Sequence, residues 1–77
     1  MDITNRLTDV FRSVFNNETI ELEDTMTADH IEGWDSVIHV TLIFAVEEEF
    51  GITFTTNDLK NLGSVGDLRR AVEKRLG

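Results

Sequence analysis

Residues 33–52 read GWDSVIHVTLIFAVEEEFGI and carry both the start and the stop signals of one long helix. Asp35-Ser36 is a helix start, since a short polar side chain there accepts a backbone N–H of the first turn. No proline or glycine interrupts the following residues until Gly51, which can adopt the left-handed conformation that ends a helix, with Ile52 as its apolar lid. The helix therefore begins at Asp35-Ser36 and runs to Phe50. At about 100° per residue its apolar side chains divide between two faces. Leu42, Val46 and Phe50 line one face with Ile43 at its margin, and His39 projects the same way. Val37, Val40 and Phe44 line another, which runs into Glu47 and Glu48. One face is a core stripe. The other is free to meet a partner, because a chain this short has little to cover it with.

Upstream, Ile3, Leu7, Val10, Phe11, Val14 and Phe15 recur at helical spacing, with Asp2 as the expected N-cap and Asn16-Asn17 as the stop. A connection from Asn17 to Asp35 shows no sustained period, and a loop of that length is usually functional. Ile20, Leu22, Met26 and Ile31 are expected to pin it to the core, and Gly33 to turn it before Trp34. Downstream, a short helical turn is expected over Asn57–Leu62, capped by Thr55 or Thr56 and closed by Gly63. The last helix opens at Ser64 with Asp67 in a capping-box arrangement, and Val65, Leu68, Ala71, Val72 and Leu76 form its buried stripe. The fold class is all-α: one domain over residues 1–77, with three main helices, one short helix and a long first loop.

Composition limits the function. Fifteen acidic against seven basic residues give a formal net charge of -8, which disfavours nucleic acid and anionic membranes and favours basic protein surfaces. There is no cysteine, so neither a disulfide nor a thiolate metal site is available. No run is apolar enough to span a bilayer, and Met1-Asp2-Ile3-Thr4 lacks the pattern of a signal peptide. A soluble, cytoplasmic monomer is the expectation. Glu47, Glu48 and Glu49 stand at the negative end of the helix dipole, where folding does not ask for them; they form the acidic rim of the free stripe.

Ser13, Ser36 and Ser64 are the serines. Ser13 lies inside the first helix and Ser64 caps the last. Capping is a sufficient structural role for Ser36 as well, shared with Asp35. A phosphate ester at that position would also face free backbone N–H groups and the positive end of the dipole. Catalysis by Ser36 needs a base and an orienting group, and the two histidines do not supply them. His39 is read as packed or capping, and a metal site at Asp29, His30 and Glu32 has weak spacing support. No catalytic and no metal-binding residue is assigned.

Gly33-Trp34-Asp35-Ser36-Val37, Val46-Glu47-Glu48-Glu49-Phe50-Gly51-Ile52 and Ser64-Val65-Gly66-Asp67-Leu68 together resemble the acyl carrier proteins, over nearly the whole chain. The resemblance implies a four-helix bundle that is not an enzyme. It implies that a phosphopantetheinyl transferase moves a 4′-phosphopantetheine arm from coenzyme A to Ser36 in a magnesium-dependent step. The arm's thiol would carry acyl groups as thioesters to acyl-loading and acyl-transfer enzymes. Asp35 would help the transferase dock, and Val37, Ile38, Val40, Phe44, Glu47 and Glu48 would face successive partners. Carriers of housekeeping fatty-acid synthesis have Leu after the serine, then an acid, and another acid three residues on. Val37, Ile38 and Thr41 stand there instead, and Trp34 replaces a small residue. These departures point to a specialised carrier in a secondary or cell-surface pathway, with polyketide or fatty-acid-like cargo. An aminoacyl carrier and an unmodified helical adaptor are the alternatives.

Overall fold

The computed structural model describes residues 3–77 and contains four α-helices: α1 Ile3–Val14, α2 Ser36–Phe50, α3 Thr56–Lys60 and α4 Val65–Leu76. The expected cap at Asp2 lies outside the described residues. α1 ends as its asparagines require: Asn16 takes a positive φ of 51°, and Asn16 N–H and Asn17 N–H return to the Ser13 and Arg12 carbonyls. α2 ends on Gly51 at φ 66°, and both Gly51 N–H and Ile52 N–H donate to the Glu47 carbonyl. α1 packs against α2 and α4. Phe11, Leu7, Leu42, Val46 and Val72 are the most deeply buried side chains, so the core is where these three helices meet.

The long connection is better anchored than its sequence suggests. Ile20 and Ile31 are buried, while Leu22 and Met26 are half-buried against the core. Arg12 Nε donates to the Ile20 carbonyl at 2.8 Å, tying the start of the loop to α1. Its middle is tied to the start of α4: Val65 N–H donates to Met26 O at 2.8 Å and Gly66 N–H to Asp24 O at 2.9 Å. The Arg69 guanidinium then holds both Asp24 carboxylate oxygens, at 3.0 and 2.8 Å. These bonds satisfy two orphan donors at the start of α4 that the Ser64 cap, which takes the Asp67 N–H, leaves over. The loop also contains a 3-10 turn at Ala28–His30, closed by Thr27 and His30 and absent from the sequence reading.

Several expected details shift. The short third helix covers Thr56–Lys60 rather than Asn57–Leu62, because Thr55 is its cap and exchanges bonds with Asp58. Leu62 is left half-buried in the link that follows. Asp58 is itself buried, and its ion pair with Arg75 joins α3 to α4. The Ser64 capping box forms only in one direction: Ser64 accepts from Asp67 N–H, but the Asp67 carboxylate turns to Gly63 N–H and Arg70. Leu76, expected in the buried stripe, is exposed in the last turn of α4. Ile43 is a full core residue rather than a marginal one. Among the described residues, no helix is long and apolar enough to cross a membrane.

Candidate functional site: the start and outer face of α2

The structure decides between the two candidate caps. Asp35 has extended backbone geometry (φ -110°, ψ -175°), and its carboxylate accepts Ile38 N–H at 2.9 Å. Ser36 is therefore the first helical residue, exposed, with its hydroxyl not used for capping. The N–H groups of Ser36 and Val37 precede any helical acceptor, so they point outward from the positive end of the helix. An anion esterified to Ser36 meets a favourable field there without a dedicated charged pocket.

The residue before this pair is held firmly. Trp34 packs edge-on to Phe11 at 5.5 Å and to Phe15 at 5.9 Å between ring centroids. Its indole N–H donates to His39 Nδ1 at 3.1 Å, and the two rings lie nearly parallel. The sequence does not show this pairing, although the separation of five residues across a helix start could have suggested it. His39 is thus a packed residue, as expected, with Nδ1 occupied by Trp34. His30 Nδ1 is likewise taken, by Thr27 N–H at 3.1 Å.

The second face of α2 is open as the period requires. Val37 is 73% exposed, Val40 is exposed and Phe44 is 66% exposed. Ile38 differs from its neighbours: it is half-buried, so it adds less to an exposed apolar face than its sequence position suggests. A recess of ≈380 Å³ lies beside this stripe, lined by His39, Val40, Ile43, Phe44, Glu47 and Leu59. A second recess of ≈360 Å³ lies beside the serine itself, lined by Ala28, Trp34, Asp35, Ser36 and His39.

The acidic rim is less uniform than its sequence. Glu47 Oε2 accepts Phe54 N–H at 2.7 Å, so this half-buried carboxylate holds the α2–α3 link in place. Folding does make use of this acid. Glu49 pairs with Arg6 at 2.9 Å, whose guanidinium also lies over the Phe50 ring at 4.6 Å. Glu48 is exposed and has no ion pair among the described residues. Of the three, Glu48 is the one whose carboxylate is left to solvent.

The chain is similar to known proteins in sequence and in fold. Residues 5–72 match the family model described as "Phosphopantetheine attachment site". The chain is 40% identical over 45 residues to the acyl carrier protein of Thermotoga maritima, an alignment covering 58% of this chain and 56% of that protein. It thus spans little more than half the length of the curated relative it matches. The fold is similar to the solution structure of holo acyl carrier protein from Geobacter metallireducens, with a TM-score of 0.91 and 38% identity. That similarity covers 99% of this chain and 87% of the other.

Proposed function

The chain belongs to the phosphopantetheine-attachment family, and on that premise we propose that it is an acyl carrier protein whose arm is esterified to Ser36. The observation that carries this reading is the division of labour at the start of α2. Asp35 supplies the cap, which leaves the exposed Ser36 hydroxyl free at the positive end of the helix. Ser13 lies within α1, and Ser64 accepts Asp67 N–H as the cap of α4, so neither is placed this way. The residues fit the group: an exposed hydroxyl, outward N–H groups, and open space on either side of His39.

In the attachment step, Ser36 Oγ would displace 3′,5′-ADP from the phosphorus of coenzyme A that bears the pantetheine. One P–O bond forms, one breaks, and the hydroxyl proton leaves to a base on the transferase. The transferase supplies magnesium to offset the diphosphate charge. When bound, the arm supplies the thiol that this cysteine-free chain lacks. The chain's own residues position the ester and present α2 to partners, and its 77 residues act as one carrier domain in the cytoplasm.

Val37, Val40 and Phe44 would provide the apolar part of the docking face, and Glu48 its charge, with Asp35 beside the serine for the transferase. Thr41 is exposed where housekeeping carriers have an acid. The face is therefore more apolar and less acidic, which suits partners that bind through apolar contact as much as through basic residues. This supports a specialised carrier, with acyl or aminoacyl cargo, outside the main fatty-acid pathway. Incubation with coenzyme A, magnesium and a broad-specificity transferase tests the reading. The native chain should gain one phosphopantetheine by intact mass and Ser36→Ala none. An unchanged native mass with several transferases would favour an unmodified adaptor.

A further inference from the structure

We propose that the recess formed by Ala28, Trp34 and His39 beside Ser36 is a docking subsite for the first, methyl-bearing segment of the phosphopantetheine arm, with His39 as the donor to its phosphodiester. The proposal rests on the attachment reading of Ser36. Ser36 is part of the recess wall, so any ester on its oxygen begins there. The opposite boundary is Ala28, in the 3-10 turn that Thr27 and His30 close. Trp34 is held against Phe11 and Phe15, so its indole presents a fixed apolar surface.

The hydrogen bond between Trp34 and His39 determines what His39 can offer. An indole N–H only donates, so His39 Nδ1 must be the acceptor, and the ring proton of the neutral imidazole is then on Nε2. Nε2 makes no hydrogen bond among the described residues. His39 stands three residues after Ser36, and residues so spaced are neighbours on one helix face, with Cβ atoms about 5–6 Å apart. A phosphodiester on Ser36 would share the recess that His39 lines, within one helical turn of that N–H. The charged groups around His39 are Asp35, which shares the recess, and Glu47, which shares the other one. Both carboxylates are already engaged, with Ile38 N–H and Phe54 N–H.

His39 also lines the larger recess beneath Val40, Phe44 and Leu59. It therefore separates two places for a group on Ser36, and its bond to the phosphodiester biases the start of that group towards Trp34. The chemistry agrees: an anion needs a donor, and the branched methyls next to it need an apolar wall. Trp34 and His39 supply both.

Trp34 is the single tryptophan, so its fluorescence reports the recess directly. Apo and holo protein are compared, with intact mass recording attachment. In the holo form, Trp34 emission should shift to the blue and acrylamide quenching should weaken. NOEs should connect the arm's geminal methyls to the indole ring. His39→Ala should take up the arm in full yet lose these NOEs and the protection, whereas His39→Gln, which retains a donor, should recover part of both. Full attachment in the native chain with unaltered Trp34 quenching, or with methyl NOEs only to Phe44 and Leu59, overturns the subsite and leaves the carrier reading standing. No mass gain in the native chain overturns both.

Discussion

Asp35 and Ser36 divide two tasks that their shared sequence position leaves undecided. An Asp and a Ser at a helix start are equally good caps, so pattern alone does not choose between them. The backbone chooses, because the extended residue is Asp35 and its carboxylate reaches Ile38 N–H. Asp35→Ala should lower stability by about 1 kcal/mol, read from the shift of the denaturant midpoint. Asp35→Asn should keep that stability, since Asn caps as well, while slowing transferase modification through the lost charge. Equal modification rates for the native chain and Asp35→Asn would remove Asp35 from the docking site. Glu47 and Glu48 separate in the same way. Adjacent identical acids are indistinguishable in sequence, yet only Glu47 is bonded to the α2–α3 link. Glu47→Lys should destabilise the fold by about 1–3 kcal/mol, because Phe54 N–H loses a charged acceptor. Glu48→Lys should leave the midpoint unchanged and slow encounter with a basic partner. The opposite pattern in paired denaturation and stopped-flow measurements would contradict this assignment.

At the scale of elements, α2 was the most legible part of the chain because periodicity determines which face a residue occupies. Val37, Val40 and Phe44 fall opposite the Leu42–Val46–Phe50 stripe by geometry alone, and they are the exposed ones. The ends of α1 and α2 were legible for a similar reason, since Asn16 and Gly51 tolerate the left-handed backbone found there. The first loop was not legible. Its anchoring comes from contacts between Asp24 and residues on α4 more than forty positions away, which no local pattern encodes. Gly66 is the key to that contact. A Cβ built there would lie 2.9 Å from both Asp24 Cβ and the Asp24 carbonyl oxygen. Gly66→Ala must push the loop off the start of α4, and should cost about 1–3 kcal/mol as an overpacked contact. A stability equal to the native chain, despite the helix-favouring alanine, would show that the loop moves freely there.

Charge is the property of the whole molecule that bears most on function. The described ion pairs engage Arg6, Arg69, Arg70 and Arg75, on α1 and α4, while α2 contains no lysine or arginine. These four bases all lie off α2, and the excess of acids leaves its proposed docking face with a negative field. Salt should slow association with a basic partner while easing the chain's self-repulsion, so its melting temperature should rise with ionic strength at neutral pH. Acid acts in the other direction. Asp24 is held below its ordinary value of 3.8 mainly by the hydrogen bond from Arg69, Asp58 by the Thr55 backbone N–H, and Asp67 by the hydrogen bond from Arg70. A carboxyl with a depressed folded-state pKa contributes stability that is present above its unfolded value and lost as pH falls through the folded one. The contribution of these three should therefore be intact above about 4 and decline below it, which an acid titration followed by far-UV circular dichroism would record.

Fragment-ion mass spectrometry identifies the oxygen atom that carries the arm. The chain, co-expressed with a phosphopantetheinyl transferase and digested, should carry a single phosphopantetheine on the peptide containing Ser36, with fragment ions placing it on that residue. Attachment at Ser13 or Ser64, or no attachment at all, would rule out Ser36 as the site.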